Sequence, residues 1–189
     1  MDRAFRTLCE MLYDRGLYDT VEHFKSFVGN EFTMLESQPI VKLEHPENVR
    51  VVFYNNAKLT KAQEFIAKHI IIPEQPMKLV IVVFKEKMNS THVKLIQDQT
   101  TQETCVQVFD IKELYFNISR HVLVPKHEIL SNEEAVRVME QCNAKKNQMP
   151  NILHTDKQAK YLNVRPGQIV KITRPSPTAG EYVIYRLCV

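Results

Sequence analysis

The chain has 189 residues, 44% of them apolar, a net charge of +3 and only four glycines. It is long enough to bury about 70% of its unfolded surface, so a disordered chain is excluded. A glycine-rich linker is excluded too, and a phosphate-cradling loop is disfavoured from the outset.

Taken in chain order, the first predicted element is a helix. Phe5, Leu8, Cys9 and Leu12 recur at helical spacing, and Gly16 ends the pattern. Asp19 and Glu22 resemble a capping box for a second helix with Val21, Phe24 and Val28 on its apolar side, closed by Gly29. Val49 to Phe53 then reads as a strand. Thr60 to Gln63 caps a helix carrying Ala62, Phe65, Ile66 and His69, which Pro73 and Pro76 stop. Leu79 to Phe84 is an unbroken apolar run, as expected of a strand covered on both faces. A short helix over 91–97 and an alternating strand over 105–109 complete a strand–helix–strand–helix–strand order, which argues for a small α/β layer.

Near Asn117 the pattern changes. Val122, Val124 and Pro125 begin an extended stretch, and Ser131 to Glu134 is a capping box opening a helix with Ala135, Val138, Met139 and Cys142 as its buried stripe. Pro150 closes the connection, Thr155 to Gln158 opens a shorter helix, and Asn163 ends it in a left-handed conformation. Arg165-Pro166-Gly167-Gln168 suits a type II turn. Strands over 169–173 and 181–187 follow, separated by RPSPTAG, which is too long for a two-residue hairpin turn. The fold class expected is α/β (α+β overall): an N-terminal unit over 1–116, with two helices and then the α/β layer, followed by a small mixed α+β unit over 117–189.

Charge separates the same parts. Residues 1–117 carry 14 Lys/Arg against 16 Asp/Glu, whereas residues 118–189 carry 11 against 6. A basic C-terminal third fits nucleic acid or an acidic protein surface. Lys157, Lys160, Arg165, Lys171, Arg174 and Arg186 interleave with Tyr161, Tyr182 and Tyr185, a pattern that serves phosphate contact and base stacking. The strands need many of those tyrosines for their own core, so a protein interface is favoured over direct nucleic-acid contact.

Catalytic signatures are sparse. Cys9, Cys105, Cys142 and Cys188 are 96, 37 and 46 residues apart, which fits free thiols and no zinc or redox motif. His121, His127 and His154 fit local hydrogen bonding better than metal ligation. Asp110 and Lys112 would share one side of a continuing strand and suggest a magnesium-dependent nuclease, but no further carboxylate is joined to them by spacing. No cofactor is expected. The opening MDRAFRTLCEML lacks a signal-peptide pattern, and the apolar runs fall short of a membrane span, so an intracellular soluble protein with no membrane partner is expected.

The C-terminal third also carries a specific resemblance. The blocks HVLVPKHEIL (His121 to Leu130), NQMPNI (Asn147 to Ile152), Asp156 and RPGQIVKITRPSPTAGEYVIYR (Arg165 to Arg186) resemble the C-terminal domain of the fifth-largest subunit of eukaryotic DNA-dependent RNA polymerases. They are also similar to the small archaeal polymerase subunit that consists essentially of that domain alone. Upstream, Arg15 to Tyr18 resembles the family's opening element, Leu79 to Val83 its central strand, and Leu114 to Ile118 its domain junction. The resemblance implies a compact eukaryotic or eukaryote-derived version, with loops trimmed between Gly29 and Val49.

It further implies a non-catalytic nuclear subunit, shared by polymerases I, II and III. A jaw domain, residues 1–116, would reach toward downstream duplex DNA. An assembly domain, residues 117–189, would dock on the largest subunit beside neighbouring small subunits. In the family pattern Pro125 and His127 shape the start of the assembly domain, and Pro166 and Gly167 fix a turn. Arg174, Thr178, Gly180, Tyr182, Tyr185 and Arg186 build or present the docking surface. Gly180 is expected not to tolerate a β-branched residue if its φ is positive. The alternatives to this reading are the nuclease above and a free-standing DNA-binding protein.

Overall fold

The computed structural model describes residues 2–17, 40–45, 49–55, 62–70, 77–86, 88–101 and 103–189. The chain divides into two compact units, 1–116 and 117–189. The second helix expected over 21–28 and the stops at Pro73 and Pro76 lie outside the described residues.

The first unit is built on a four-stranded sheet in the order β1-β2-β3-β4: β1 Ile40–His45, β2 Val49–Tyr54, β3 Leu79–Phe84 and β4 Cys105–Asp110. β2, β3 and β4 run parallel, and β1 lies antiparallel at the edge. Strand β1 sits where the sequence suggested trimmed loops.

Helix α2 (Ala62–Phe65) continues into a π-helical turn, Ile66–Ile70, and connects β2 to β3; α3 (Ser90–Gln97) connects β3 to β4. Two successive crossovers of one hand, stepping the same way across a sheet, place both helices on one face. Accordingly Val52, Tyr54, Val80, Val82, Phe84, Val106 and Val108 share a core with Phe65, Ile66, Ile70 and Ile96. Phe5 of α1 (Asp2–Asp14) meets Phe53, which faces the other way from Val52 and Tyr54, with ring centroids 6.3 Å apart. Every residue of β2 and β3 is therefore buried. That includes Arg50, whose Nη1 donates to the His69 carbonyl at the end of the π-helical turn (3.5 Å), where the helix dipole favours a cation.

The second unit has a mixed sheet in the order β5-β7-β8-β6: β5 Lys126–Ile129, β6 Asn151–Ile152, β7 Ile169–Ser176 and β8 Gly180–Cys188. Two helices, α4 (Asn132–Gln141) and α5 (Lys157–Leu162), cover it on opposite faces at one end. Val138, Met139 and Ala135 of α4 pack with Ile169, Tyr185 and Leu187. Ala159 and Leu162 of α5 pack with Val170, Ile172 and Cys188 on the other face.

Local signals explain the helix ends. Ser131 and Glu134 exchange both capping-box bonds, at 3.2 and 2.9 Å. Ser131's main-chain N–H, followed by its hydroxyl, holds the Glu134 carboxyl below the ordinary carboxylate value. The α5 cap is Asp156 rather than Thr155; its carboxylate accepts from the N–H groups of Gln158 and Ala159. Asn163 closes that helix at φ 59°. Cys142 is exposed as the C-cap of α4 and not part of the buried stripe, which ends with Val138 and Met139.

Strands β7 and β8 are longer than expected, pairing from Ile169↔Leu187 to Ser176↔Gly180 across a turn of Pro177, Thr178 and Ala179. Pro175 is tolerated inside β7 because its missing N–H faces the β5 side, and β5 has already ended at Lys126↔Thr173.

Candidate functional site

The residues singled out from sequence fall into three places on the second unit. The first is the start of β5. His127 Nδ1–H donates to the Pro125 carbonyl at 2.7 Å, which fixes the ring in the first turn of the backbone into the strand. His121 makes a similar local bond, whereas His154 reaches the C-terminal residue. His121 Nδ1 accepts the Leu123 N–H at 3.2 Å, and His154 Nδ1–H donates to the Val189 carbonyl at 3.1 Å. The bonds of His121 and His127 are the local kind expected of one or two of the three, and that of His154 is not local.

The second place is the Pro166-Gly167 turn, at the base of the β7–β8 hairpin. Gly167 has φ 89°, and the Gln168 N–H returns to the Arg165 carbonyl at 3.1 Å, as a type II turn requires. The Gly167 N–H bonds the Cys188 carbonyl at 2.9 Å, so this turn ties down the C-terminal strand. Cys188 itself is buried, donates its thiol to the Val164 carbonyl, and has its pKa raised by that burial.

The third place is the far end of the hairpin, which extends past the cores formed with α4 and α5. Arg174 lies over the Tyr182 ring, 5.3 Å from its centroid, and the two are cross-strand partners. Tyr182 is 49% exposed, and Arg174, Thr178 and Gly180 are exposed as well. Gly180 has φ 73° with open space around a would-be Cβ, so a side chain there is opposed by backbone strain and not by crowding. Ser176 Oγ accepts the Ala179 N–H and approaches the Thr178 hydroxyl at 3.4 Å, which braces the turn.

Strand alternation then separates the set. His127, Ile172 and Ile184 form one row of a face, Arg174 and Tyr182 the next, and Arg186 joins them on that face beside Val170. Tyr185 points to the opposite face and packs under α4, so it is chiefly a core residue. Arg186 Nη1 donates to the Asn151 carbonyl at 3.2 Å.

Base stacking loses most of its proposed platform. Tyr161 is 4% exposed, and its hydroxyl accepts from Asn117 Nδ2 at 3.0 Å. With Tyr185 half-buried, Tyr182 alone of the three presents a ring to solvent.

The Asp110–Lys112 pairing is also corrected. The strand ends at Asp110, whose carboxylate accepts the Lys112 N–H at 2.9 Å and caps a 3₁₀ turn over Ile111–Leu114. An aspartate in that role bonds its own backbone and no longer shares a strand face with Lys112. Among the described residues no three His, Cys, Asp or Glu side chains converge as a metal site, and no helix is long and apolar enough to cross a membrane.

Sequence reasoning missed the loop before β5. A 3₁₀ turn, Ile118–Arg120, precedes it, held by Asn117 on the Ser119 N–H, and leaves Val122 95% and Leu123 81% exposed. Three adjacent apolar residues before a proline, Val122, Leu123 and Val124, were the available signal, since a loop tip has no periodicity to reveal its exposure.

A family model described as RNA polymerase Rpb5, C-terminal domain, matches residues 116–188. The chain is 33% identical over 192 residues to a subunit from Dictyostelium discoideum, rpabc1 of DNA-directed RNA polymerases I, II and III, covering 97% of this chain and 94% of that one. It is 32% identical over 202 residues to the RPABC1 subunit of Caenorhabditis elegans, covering 99% and 94%.

Proposed function

The chain belongs to the family of the fifth-largest subunit shared by DNA-directed RNA polymerases I, II and III, and from that premise we propose that it is a non-catalytic assembly subunit of a nuclear RNA polymerase. Residues 117–189 act as the assembly domain, docking on the largest subunit next to the neighbouring small subunits. Residues 1–116 act as the jaw domain and help to hold downstream duplex DNA through backbone contacts without base readout.

The observation that carries this reading is the likeness along nearly the whole chain to subunits of that one kind. The geometry supports it independently. The exposed end of the β7–β8 hairpin offers an arginine stacked on a tyrosine, a residue pair enriched where protein interfaces concentrate their binding energy. Pro125, His127, Pro166, Gly167 and Gly180 set the backbone that presents it. Thr178 braces the hairpin tip, Tyr185 anchors the hairpin to the core, and Arg174, Tyr182 and Arg186 make the contact.

Affinity purification of the tagged chain from its own cells at moderate salt tests this. The expected result is retention of polymerase large subunits at one copy each per chain, with largest subunits of more than one polymerase if the subunit is shared. Recovery of the chain alone, or with unrelated proteins, overturns the proposal.

A further inference from the structure

Among the described residues, the hairpin leaves one edge of its sheet open. Cys188 N–H donates to the Gln168 carbonyl on the β7 side, whereas the N–H groups of Leu187 and Val189 donate away from β7, to the carbonyls of Pro150 and Ile152. Main-chain groups alternate in direction along an antiparallel strand. The even-numbered residues of β8 thus bond β7, and the odd-numbered ones face outward. Strand β6 pairs with that outer side only at Leu187 and Cys188. Beside Val183 and Tyr185 no described strand runs, so two N–H and two C=O groups are directed at a neighbour.

Open edges are normally blunted by shortness, lysine or proline. The opposite edge of this sheet follows that rule: β5 has four residues and starts with Lys126. Strand β8 does not. It has nine residues, and from Gly180 to Arg186 it reads GEYVIYR, with neither lysine nor proline. Tyr182 and Val183 on this stretch are 49% and 36% exposed.

Charge identifies the occupant. Arg174 and Arg186 lie on the same face, at the two ends of the open stretch. Arg186 is held toward β6 by its bond to Asn151, yet its Nε is shielded from water and has no hydrogen-bond partner. A carboxylate is the group that a guanidinium engages with two parallel bonds, and the Arg174 and Arg186 side chains offer that pairing along the edge. Residues 118–189 also carry 11 Lys/Arg against 6 Asp/Glu.

We infer that the outer edge of β8 adds an extended acidic segment of a partner polypeptide as a further strand, with its main chain on Val183 and Tyr185 and its carboxylates on Arg186 and Arg174. This rests on the assembly reading above and specifies the chemistry of the docking contact.

Hydrogen exchange with single-residue readout, on the full chain alone and within the purified polymerase, tests it. The amides of Val183 and Tyr185 are expected to exchange freely in the isolated chain and at least tenfold more slowly in the complex. Those of Tyr182 and Ile184, bonded to β7, are protected in both. Val183→Pro removes one outward donor and leaves the β7 bonds intact, so its retention by polymerase should fall about tenfold, with an unchanged melting temperature confirming the fold. Arg186→Gln should weaken retention in the same direction.

Unchanged exchange at Val183 and Tyr185 in a chain still retained at one copy overturns the edge while leaving the assembly reading standing. Protection that appears in the isolated chain on raising its concentration assigns the edge to a second copy and overturns the acidic partner. A chain that joins no polymerase removes both readings together.

Discussion

The two units use their sheets differently. In the first, β2 and β3 are buried along their whole length, with α2 and α3 on one face and Phe53 meeting Phe5 of α1 on the other. In the second, α4 and α5 cover the sheet only around Ile169, Val170 and Cys188, and the rest of the hairpin runs on with Arg174, Tyr182 and Val183 toward solvent. A sheet closed on both faces has its stability inside it. A sheet covered at one end leaves its other end bare, at little cost to its own fold.

The largest break in that contrast is expected in the first unit. Ile81 is fully buried at the centre of β3, so Ile81→Ala should destabilise the chain by about 3 kcal/mol in urea unfolding. Tyr182→Ala, on the bare end of the hairpin, should change stability by less than about 1 kcal/mol yet reduce retention by polymerase severalfold. An equal stability loss at the two positions would erase the distinction.

Gly180→Val should lower stability by about 1–2 kcal/mol through its positive φ alone, and Gly180→Asn by less, as thermal melts of the two variants will show. Ser131→Ala should cost about 1 kcal/mol by removing the cap of α4. Glu134 adds a pH signature to that cap. Its pKa is depressed in the fold, so its contribution is present above the ordinary value of 4.5 and fades as pH falls through the folded value. Glu134→Gln should therefore flatten the acid limb of a stability–pH profile. The smallest effect is expected for Arg174→Gln, which removes a solvent-exposed cation–π contact worth about 0.5–1 kcal/mol.

Much of this was legible in the sequence where one short-range rule governs. The apolar run Leu79 to Phe84, the Ser131–Glu134 box, and the turns at Asn163, Gly167 and Gly180 are each set by neighbours within a few residues. What escaped depends on tertiary context. Arg50 alternates as a solvent-facing residue would, yet helices close over its face. Val41 and Leu43 alternate with Lys42 and Glu44, too briefly to stand out as edge strand β1. Asp110 reads equally as a strand residue or a cap, and only the end of pairing decides. Of the docking set, the turn residues follow from local chemistry. That Tyr185 faces the core while Tyr182 faces out follows from β7–β8 register, which is invisible before the pairing is known.

Cross-linking of lysines in the intact polymerase, with sites read by mass spectrometry, tests the central claim most directly. If the second unit is the docking unit, Lys126, Lys145, Lys146, Lys157 and Lys171 will link to the largest subunit and its immediate neighbours, and links from residues 1–116 to that subunit will be sparse. Links to the largest subunit that arise from residues 1–116 alone would contradict the account.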